Sequence, residues 1–399
     1  MKKTLLMLLV AMFVATGLYA QKNKRTSAFN YNKEFDNEIE LYKLKKNPKD
    51  LENAKEAINE AKANIDAAVK HEKTMNDPKT WLYKGAIYYN LATLPSILDE
   101  TAKLDREAAA EAYKALLKAK ELDEKGKYID DINIYLQNLY NLYFTEGANN
   151  FNEQNYSLAQ KNLKRAFDIM KNRGVFDTVA AFYTGLVSFM DKDPKTTIEY
   201  MKKCDSVNFN DPRIYIYWNR ALKMTGDTVT AIEIIEKGRT KYPEELSILL
   251  EEAQTYLEKG ENEKLKKSLL KAIEKDDQNP NLFFLLGKTY DDEGDKVKAE
   301  EFYLKAIKVK PEFFEAYYNI GAIYNNKASE LMKTANELPL NETDKYNKLM
   351  DEANANLEKA VPWLEKALKL NPDDEFTRRA LKEAYTRLKQ YDKAKALDK

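Results

Sequence analysis

The chain is poor in the residues that build most catalytic and metal sites. It has one histidine and one cysteine in 399 residues, so a His/Cys metal cluster, a Ser–His–Asp site and a disulfide framework are not expected. Its 12 glycines and 11 prolines are too few for a turn-rich all-β fold. Its 65 basic and 65 acidic residues cancel, so it lacks the basic excess of a nucleic-acid binder. We therefore expect no enzyme, no metal, no cofactor and no nucleic-acid partner.

The first twenty residues have the layout of a secretory signal peptide. Lys2 and Lys3 precede an apolar run from Leu5 to Val14, and small residues stand near Ala20. The run is shorter than the roughly 20 apolar residues of a bilayer span, so cleavage is expected and no transmembrane span should remain. No cysteine follows the run, which argues against a lipoprotein. We expect residues 1–20 to be removed and the mature protein to lie in the periplasm or outside the cell.

A 34-residue repeat runs through the sequence. Gly185, Asn219, Ala253, Gly287 and Gly321 are each 34 residues apart. Apolar residues recur at helical spacing around each of these positions, which predicts two amphipathic helices per repeat. A lone helix pair cannot cover both apolar stripes, so the repeats must stack. The pattern predicts an all-α array of antiparallel helix pairs.

The clearest repeat, residues 280–312, resembles the tetratricopeptide repeat (TPR) family. The positions that match the family signature are Phe283, Leu286, Gly287, Tyr290, Ala299, Tyr303, Ala306 and Pro311, and the next repeat adds Gly321 and Tyr324. The resemblance implies a right-handed superhelical solenoid of antiparallel helix pairs, with further units beginning near residues 140, 178, 212, 246 and 314. Together with the export signal, it is a resemblance to periplasmic TPR proteins of Bacteroidetes.

Two of the repeats are longer than the rest. Between Tyr88 and Ala112 there are about 15 extra residues, and between Tyr324 and Ala360 about 27. We expect elongated helical hairpins there, the second projecting from the array, with Pro362 kinking its returning helix. The expected organisation is N-terminal TPR-like repeats at 21–140 with the extended hairpin 89–111, a TPR array at 141–374 with the projecting hairpin 327–356, and capping helices at 375–399.

In the TPR family the first helices of successive units line a concave groove. Signature residues point into the stack, so the groove is expected on the neighbouring stripe of each first helix. Arg220 and Lys288 are expected to meet an acidic group of a bound peptide while contributing little to folding. The expected groove residues are Phe182, Ile216, Tyr217, Arg220, Gln254, Phe284, Lys288, Tyr318, Asn319 and Asn326.

The predicted function is a non-enzymatic scaffold or adaptor of the cell envelope that binds a protein or extended peptide. The alternative is a periplasmic glycan-capture protein, because SusD-like proteins also contain TPR units. Two observations weigh against that alternative: no lipoprotein cysteine follows the signal, and the chain has only three tryptophans.

Three Asp-Ser/Thr-aliphatic strings resemble the O-glycosylation sites of some Bacteroidetes periplasmic proteins. Their hydroxyl residues are Thr178, Ser206 and Thr228. The other interpretation is that aspartate and threonine are simply favoured where helices begin.

Overall fold

The computed structural model describes the backbone of residues 2–98 and 103–398 and, within these ranges, the side chains from Asn23 onward. The described chain is helical and contains no strand. The predicted signal peptide, residues 1–20, lies outside the described side chains, so its cleavage stays a prediction. No helix among the described residues is both long and apolar enough to cross a membrane.

The described helices form consecutive pairs in which a first helix, odd-numbered, packs against a second helix, even-numbered. Their bounds are α1 (Lys2–Lys45), α2 (Pro48–Ala68), α3 (Pro78–Leu98), α4 (Arg106–Leu122), α5 (Ile129–Asn152), α6 (Tyr156–Asn172), α7 (Thr178–Met190), α8 (Pro194–Ser206), α9 (Arg213–Met224), α10 (Thr228–Lys241), α11 (Leu246–Lys259), α12 (Asn262–Lys275), α13 (Pro280–Asp292), α14 (Lys296–Val309), α15 (Phe314–Asn336), α16 (Thr343–Leu370), α17 (Glu375–Arg387) and α18 (Tyr391–Ala396).

Contacts divide the chain into two compact units, Met1–Phe209 (unit 1) and Asn210–Lys399 (unit 2). Within each unit, every second helix also packs on the first helix of the next pair. The apolar stripes of the helices thus form a core that continues from one pair to the next. The predicted all-α stack of antiparallel helix pairs is confirmed. The predicted boundaries at residues 140 and 374 fall inside these two units.

In the pairs that carry a glycine at the repeat position, the first helix crosses its partner so closely that a Cβ atom on the glycine would overlap the second helix. A Cβ atom built on Gly287 would lie 2.8 Å from a ring carbon of Tyr303, and one built on Gly185 would lie 2.7 Å from a side-chain carbon of Met201. Carbon atoms that are not bonded do not approach so closely, because dispersion attraction is optimal only at about 3.5–4.0 Å. Tyr303 and Met201 each follow their glycine by 16 positions. The 34-residue series in the sequence therefore marks the points where the helices cross.

The two stretched hairpins keep the same crossing. A Cβ on Gly85 would lie 2.6 Å from Leu116, and one on Gly321 would lie 2.7 Å from Leu364. These residues are 31 and 43 positions apart, so they exceed the ordinary separation of 16 by 15 and 27 positions. Those are the two insertions expected from the sequence. In the second hairpin the added residues lengthen α15 to 23 residues and α16 to 28, with Pro362 inside α16.

A residue with positive φ closes the hairpin in the ordinary pairs. At the same position of the repeat, φ lies between 58° and 87° at Gln154, Lys192, Gly226, Gly260, Gly294 and Lys389. This left-handed conformation suits glycine and costs other residues roughly 1–2 kcal/mol, so stacking must hold glutamine and lysine in it. In the elongated pairs the equivalent residues, Ala92 and Ala328, lie inside helices, and the chain turns later.

Tyrosines near the ends of first helices join neighbouring pairs. The Tyr256 hydroxyl donates a hydrogen bond to Glu236 at 2.8 Å, and the Tyr324 hydroxyl donates one to Glu300 at 2.8 Å. Each carboxylate belongs to the second helix of the preceding pair. Burial, followed by the hydrogen bond to Glu300, raises the pKa of Tyr324 to about 12. The neutral phenol is therefore the form that the folded stack stabilises.

Replacing Gly287 with leucine tests the crossing. The new side chain would meet the Tyr303 ring and the carbonyl oxygen of Ala299, which lies 3.1 Å from where the Cβ atom would stand, and neither can move freely. We expect Gly287→Leu to lower the free energy of unfolding by about 1–3 kcal/mol, measured by urea denaturation followed by circular dichroism. The control is Lys288→Leu, which adds leucine at the exposed next position. Equal midpoints for the two variants would refute the assigned crossing.

Candidate functional site

The apolar groove positions expected in unit 2 are largely packed inside the stack. Ile216 is 8% exposed. The Phe284 ring centre lies 5.5 Å from that of Tyr303 and 5.3 Å from that of Phe313, which caps the start of α15. Tyr318 is partly buried, and its ring stacks on that of Phe314 with the ring centres 6.1 Å apart. These side chains support the helix packing and leave little open apolar floor.

The polar groove residues Arg220 on α9 and Gln254 on α11 belong to one network of ion pairs and hydrogen bonds. Arg220 donates a hydrogen bond from Nε to Glu251 at 2.8 Å, and its Nη2 lies 2.6 Å from the same carboxylate. Lys223 lies 3.5 Å from Glu251 and 2.8 Å from Glu258, which accepts a hydrogen bond from Gln254 at 2.8 Å. The Glu251 side chain is only 3% exposed, so these cations neutralise a buried charge. Arg220 is therefore already paired with Glu251, and only the exposed part of its side chain remains for an acidic peptide.

The other polar groove positions in unit 2 differ in their availability. Asn319 donates its side-chain hydrogen bond to the backbone carbonyl of Glu315 at 2.7 Å, within its own helix. Tyr217 is partly buried beside Arg220. Lys288 and Asn326 are exposed, and neither side chain has a hydrogen bond or ion pair with the described residues. These two positions therefore present side chains that a partner could engage.

Phe182, the groove position expected in unit 1, is buried. Its side chain is 2% exposed, with the ring centres of Tyr183 at 5.6 Å and Phe209 at 5.9 Å. The prediction that Phe182 lines an open groove is therefore wrong. Its neighbour Tyr183 is the exposed aromatic residue on this helix, with 38% of its surface accessible.

An open apolar recess lies nearby in unit 1, between the first helices α5 and α7, with Leu163 of the second helix α6 in its lining. We call it the α5–α7 cleft, and its lining is Phe144, Ala148, Phe151, Asn152, Leu163, Tyr183 and Val187. Asn152 and the Tyr183 hydroxyl are the polar groups among these residues. The recess has a volume of about 320 Å³. It is wide enough for a large apolar side chain and almost free of groups that would hydrogen-bond to a polar ligand.

The sequence carried a signal for this cleft that the groove prediction did not use. The groove stripe occupies the fifth and ninth positions of each unit, which gave Phe284 and Lys288 in the clearest repeat. The same positions of the unit that begins near residue 140 are Phe144 and Ala148, and both line the cleft. Extending the stripe one unit upstream would have identified them.

The three proposed glycosylation residues lie at helix ends. Asp177 and Asp227 accept hydrogen bonds from backbone N–H groups at the starts of α7 and α10, so each caps a helix. Thr228 and Ser206 are exposed, whereas Thr178 is partly buried. Capping explains two of the three strings without any modification.

No group of three or more His, Cys, Asp and Glu side chains in the described part of the chain could hold a metal ion. The one cysteine, Cys204, is buried in the core of unit 1.

Stacked helix pairs with a fixed crossing every 34 residues define a helical-repeat protein. A family model for the tetratricopeptide repeat matches residues 280–313 and 352–374. Residues 280–313 and 352–374 are thus tetratricopeptide repeats, and these two stretches carry the match.

Several solved structures of TPR proteins resemble parts of the chain. A TPR protein from Bacteroides fragilis is 21% identical, with 62% of this chain and 98% of that chain covered and a TM-score of 0.31. YrrB, described as a TPR protein with an unusual peptide-binding site, is 16% identical over 51% of this chain and 95% of its own, with a TM-score of 0.37. MamA from Desulfovibrio magneticus RS-1 is 16% identical over 50% and 97%, also with a TM-score of 0.37. No curated protein sequence matches the chain.

The ion network predicts different outcomes for the two groove cations, which were both expected to contribute little to folding. Arg220→Ala would leave the buried Glu251 carboxylate with Lys223 alone, at 3.5 Å. Because Arg220 is 47% exposed, we expect a loss of about 1 kcal/mol in unfolding free energy, below the 3–5 kcal/mol of a fully buried pair. Lys288→Ala, which breaks no contact, is the control and should leave the urea midpoint unchanged. Equal midpoints for Arg220→Ala and wild type would contradict the network.

Proposed function

We propose that the protein is a non-enzymatic scaffold that holds an extended segment of another protein against the first helices of unit 1. The α5–α7 cleft is the observation that carries this proposal. It is an open recess lined mainly by apolar side chains, and its Tyr183 is 38% exposed. Burying one leucine or phenylalanine side chain there would contribute about 1.5–3 kcal/mol to binding.

The lining of the cleft favours binding over chemistry. The described residues that form it supply no carboxylate, imidazole, amine or thiol, so they offer no general acid, base or nucleophile suited to neutral pH. A sugar would need several hydrogen-bonding partners, and the lining offers only Asn152 and the Tyr183 hydroxyl. An apolar side chain of a protein segment is therefore a better occupant than a glycan.

We also propose that the scaffold works in the periplasm or outside the cell. The layout of residues 1–20 in the sequence supports this location. The exposed hydroxyls of Ser206 and Thr228 are accessible to modification, and their glycosylation stays a proposal.

A charge placed in the cleft tests the function. Ala148 is exposed at the cleft, so Ala148→Glu should fold normally but place a carboxylate against the bound apolar side chain. We expect recovery of the partner from a cross-linked envelope fraction to fall at least tenfold, which corresponds to about 1.4 kcal/mol. The readout is quantitative mass spectrometry of pull-downs.

The matched control is Ala63→Glu, the same substitution at an exposed alanine of the second helix α2. It should recover the partner as well as the wild type does. Equal recovery by Ala148→Glu and Ala63→Glu, or capture of a glycan that both variants retain, would contradict the proposal.

A further inference from the structure

A second cleft in unit 1 lies between α1, α3 and α5, and we call it the acidic cleft. Its volume is about 230 Å³, several times the roughly 30 Å³ that one water molecule occupies in the liquid. It lies at the opposite end of α5 from the α5–α7 cleft. Its lining is Phe29, Asn32, Leu82, Tyr83, Ala86, Ile87, Asp131 and Tyr135.

Aromatic rings form part of the wall of the acidic cleft. Phe29 and Tyr83 stack with their ring centres 4.8 Å apart and their planes at 24°, and Phe29 remains 42% exposed. Tyr135 contributes a third ring from α5. The faces of such rings attract cations, and the ammonium of Lys79 already lies 5.4 Å from the centre of the Tyr83 ring.

Asp131 lines this cleft and Asp36 lies close to it outside the lining, and neither carboxylate forms an ion pair with the described residues. Asp131, in the first turn of α5, is exposed and forms no hydrogen bond or ion pair with the described part of the chain. Asp36 accepts a hydrogen bond from the Asn90 amide at 2.9 Å, and the same amide donates to Asn32 in the lining at 3.1 Å. Asp131 therefore adds a carboxylate to the aromatic lining, and Asp36 adds a second negative charge nearby.

The titration behaviour of these groups agrees with that charge. Burial raises the pKa of Asp36, the hydrogen bond from Asn90 opposes the rise, and the charge of Glu40 adds to it. Burial also raises the pKa of Tyr135, and the charges of Asp36 and Asp131 raise it further. A positive group bound beside Tyr135 would oppose the negative field that these carboxylates place on it.

We propose that the acidic cleft binds an arginine side chain of the partner segment. A guanidinium is planar, so it can stack on an aromatic ring of the wall, where Phe29 remains 42% exposed, while it donates hydrogen bonds to a carboxylate. Lysine offers a compact charge without that flat surface. The inference rests on the proposed function, because it takes the ligand to be an extended protein segment.

The two clefts predict a spacing in the partner. Tyr135 and Ala148 are thirteen residues apart on the single helix α5, or about 20 Å along its axis. The clefts also lie on opposite flanks of α5, so an extended chain needs at least about six residues to join them. The partner segment should therefore carry an arginine at least about six residues from a large apolar residue.

A short peptide with one arginine, Ac-Gly-Gly-Arg-Gly-Gly-NH2, tests the acidic cleft alone. Its neutral match replaces arginine with citrulline, and a third peptide carries lysine. Binding would be followed by methyl NMR shifts of Leu82 and Ile87, which line the cleft. We expect the arginine peptide to bind at least tenfold more tightly than the citrulline peptide and to lose affinity as salt is added. Equal affinity for arginine and citrulline, or for arginine and lysine, would overturn the inference.

Asparagine substitutions keep the shape of the side chain and remove its charge. Asp131→Asn should weaken the arginine peptide at least fivefold, whereas Asp130→Asn, on the same turn of α5, should leave its affinity unchanged. Unchanged affinity in Asp131→Asn would overturn the inference. This outcome is distinguishable from failure of the proposed function, because the Ala148→Glu experiment reads the α5–α7 cleft and uses no arginine peptide.

Discussion

In each helix pair that has a glycine at the crossing, the two helices lie so close together that only a hydrogen atom fits at the glycine position. At Gly287 a methyl group would already press on the Tyr303 ring, and at Gly321 it would press on Leu364. The close approach brings the apolar stripes of both helices into one core and fixes which faces remain outside. The cap pair differs here, since Lys382 and Asp398, again 16 positions apart, form an ion pair where other pairs bury apolar groups.

The regular part of this fold was predictable because the repeat imposes it on the sequence. Small residues every 34 positions mark the crossings, and the excess lengths of the two stretched hairpins could be counted from the residues alone. The residues that close the turns between paired helices were harder to predict from the sequence. Gln154 and Lys192 adopt positive φ although neither prefers it, because the stacked helices hold the chain on both sides.

The candidate site was predictable only in part. The fifth and ninth positions of each repeat lie on first helices, as expected. Their spacing alone does not show whether a side chain at such a position is free or is paired with another residue. Arg220 is paired because Glu251 lies on the next first helix, and Phe182 is buried because Phe209 packs over it. Both outcomes depend on contacts between residues distant in sequence. Unit 1 adds two clefts that the groove prediction did not include, one apolar and one acidic and aromatic, and both lie along α5.

Hydrogen–deuterium exchange of the protein with and without its captured partner tests the central claim most directly. If the partner lies along the first helices of unit 1, the amides of α5 and α7 should exchange more slowly in the complex, while those of α12 stay unchanged. Helix α12 is a second helix in unit 2 and serves as the internal reference. Protection confined to the elongated hairpin of α15 and α16, or to second helices, would contradict the account.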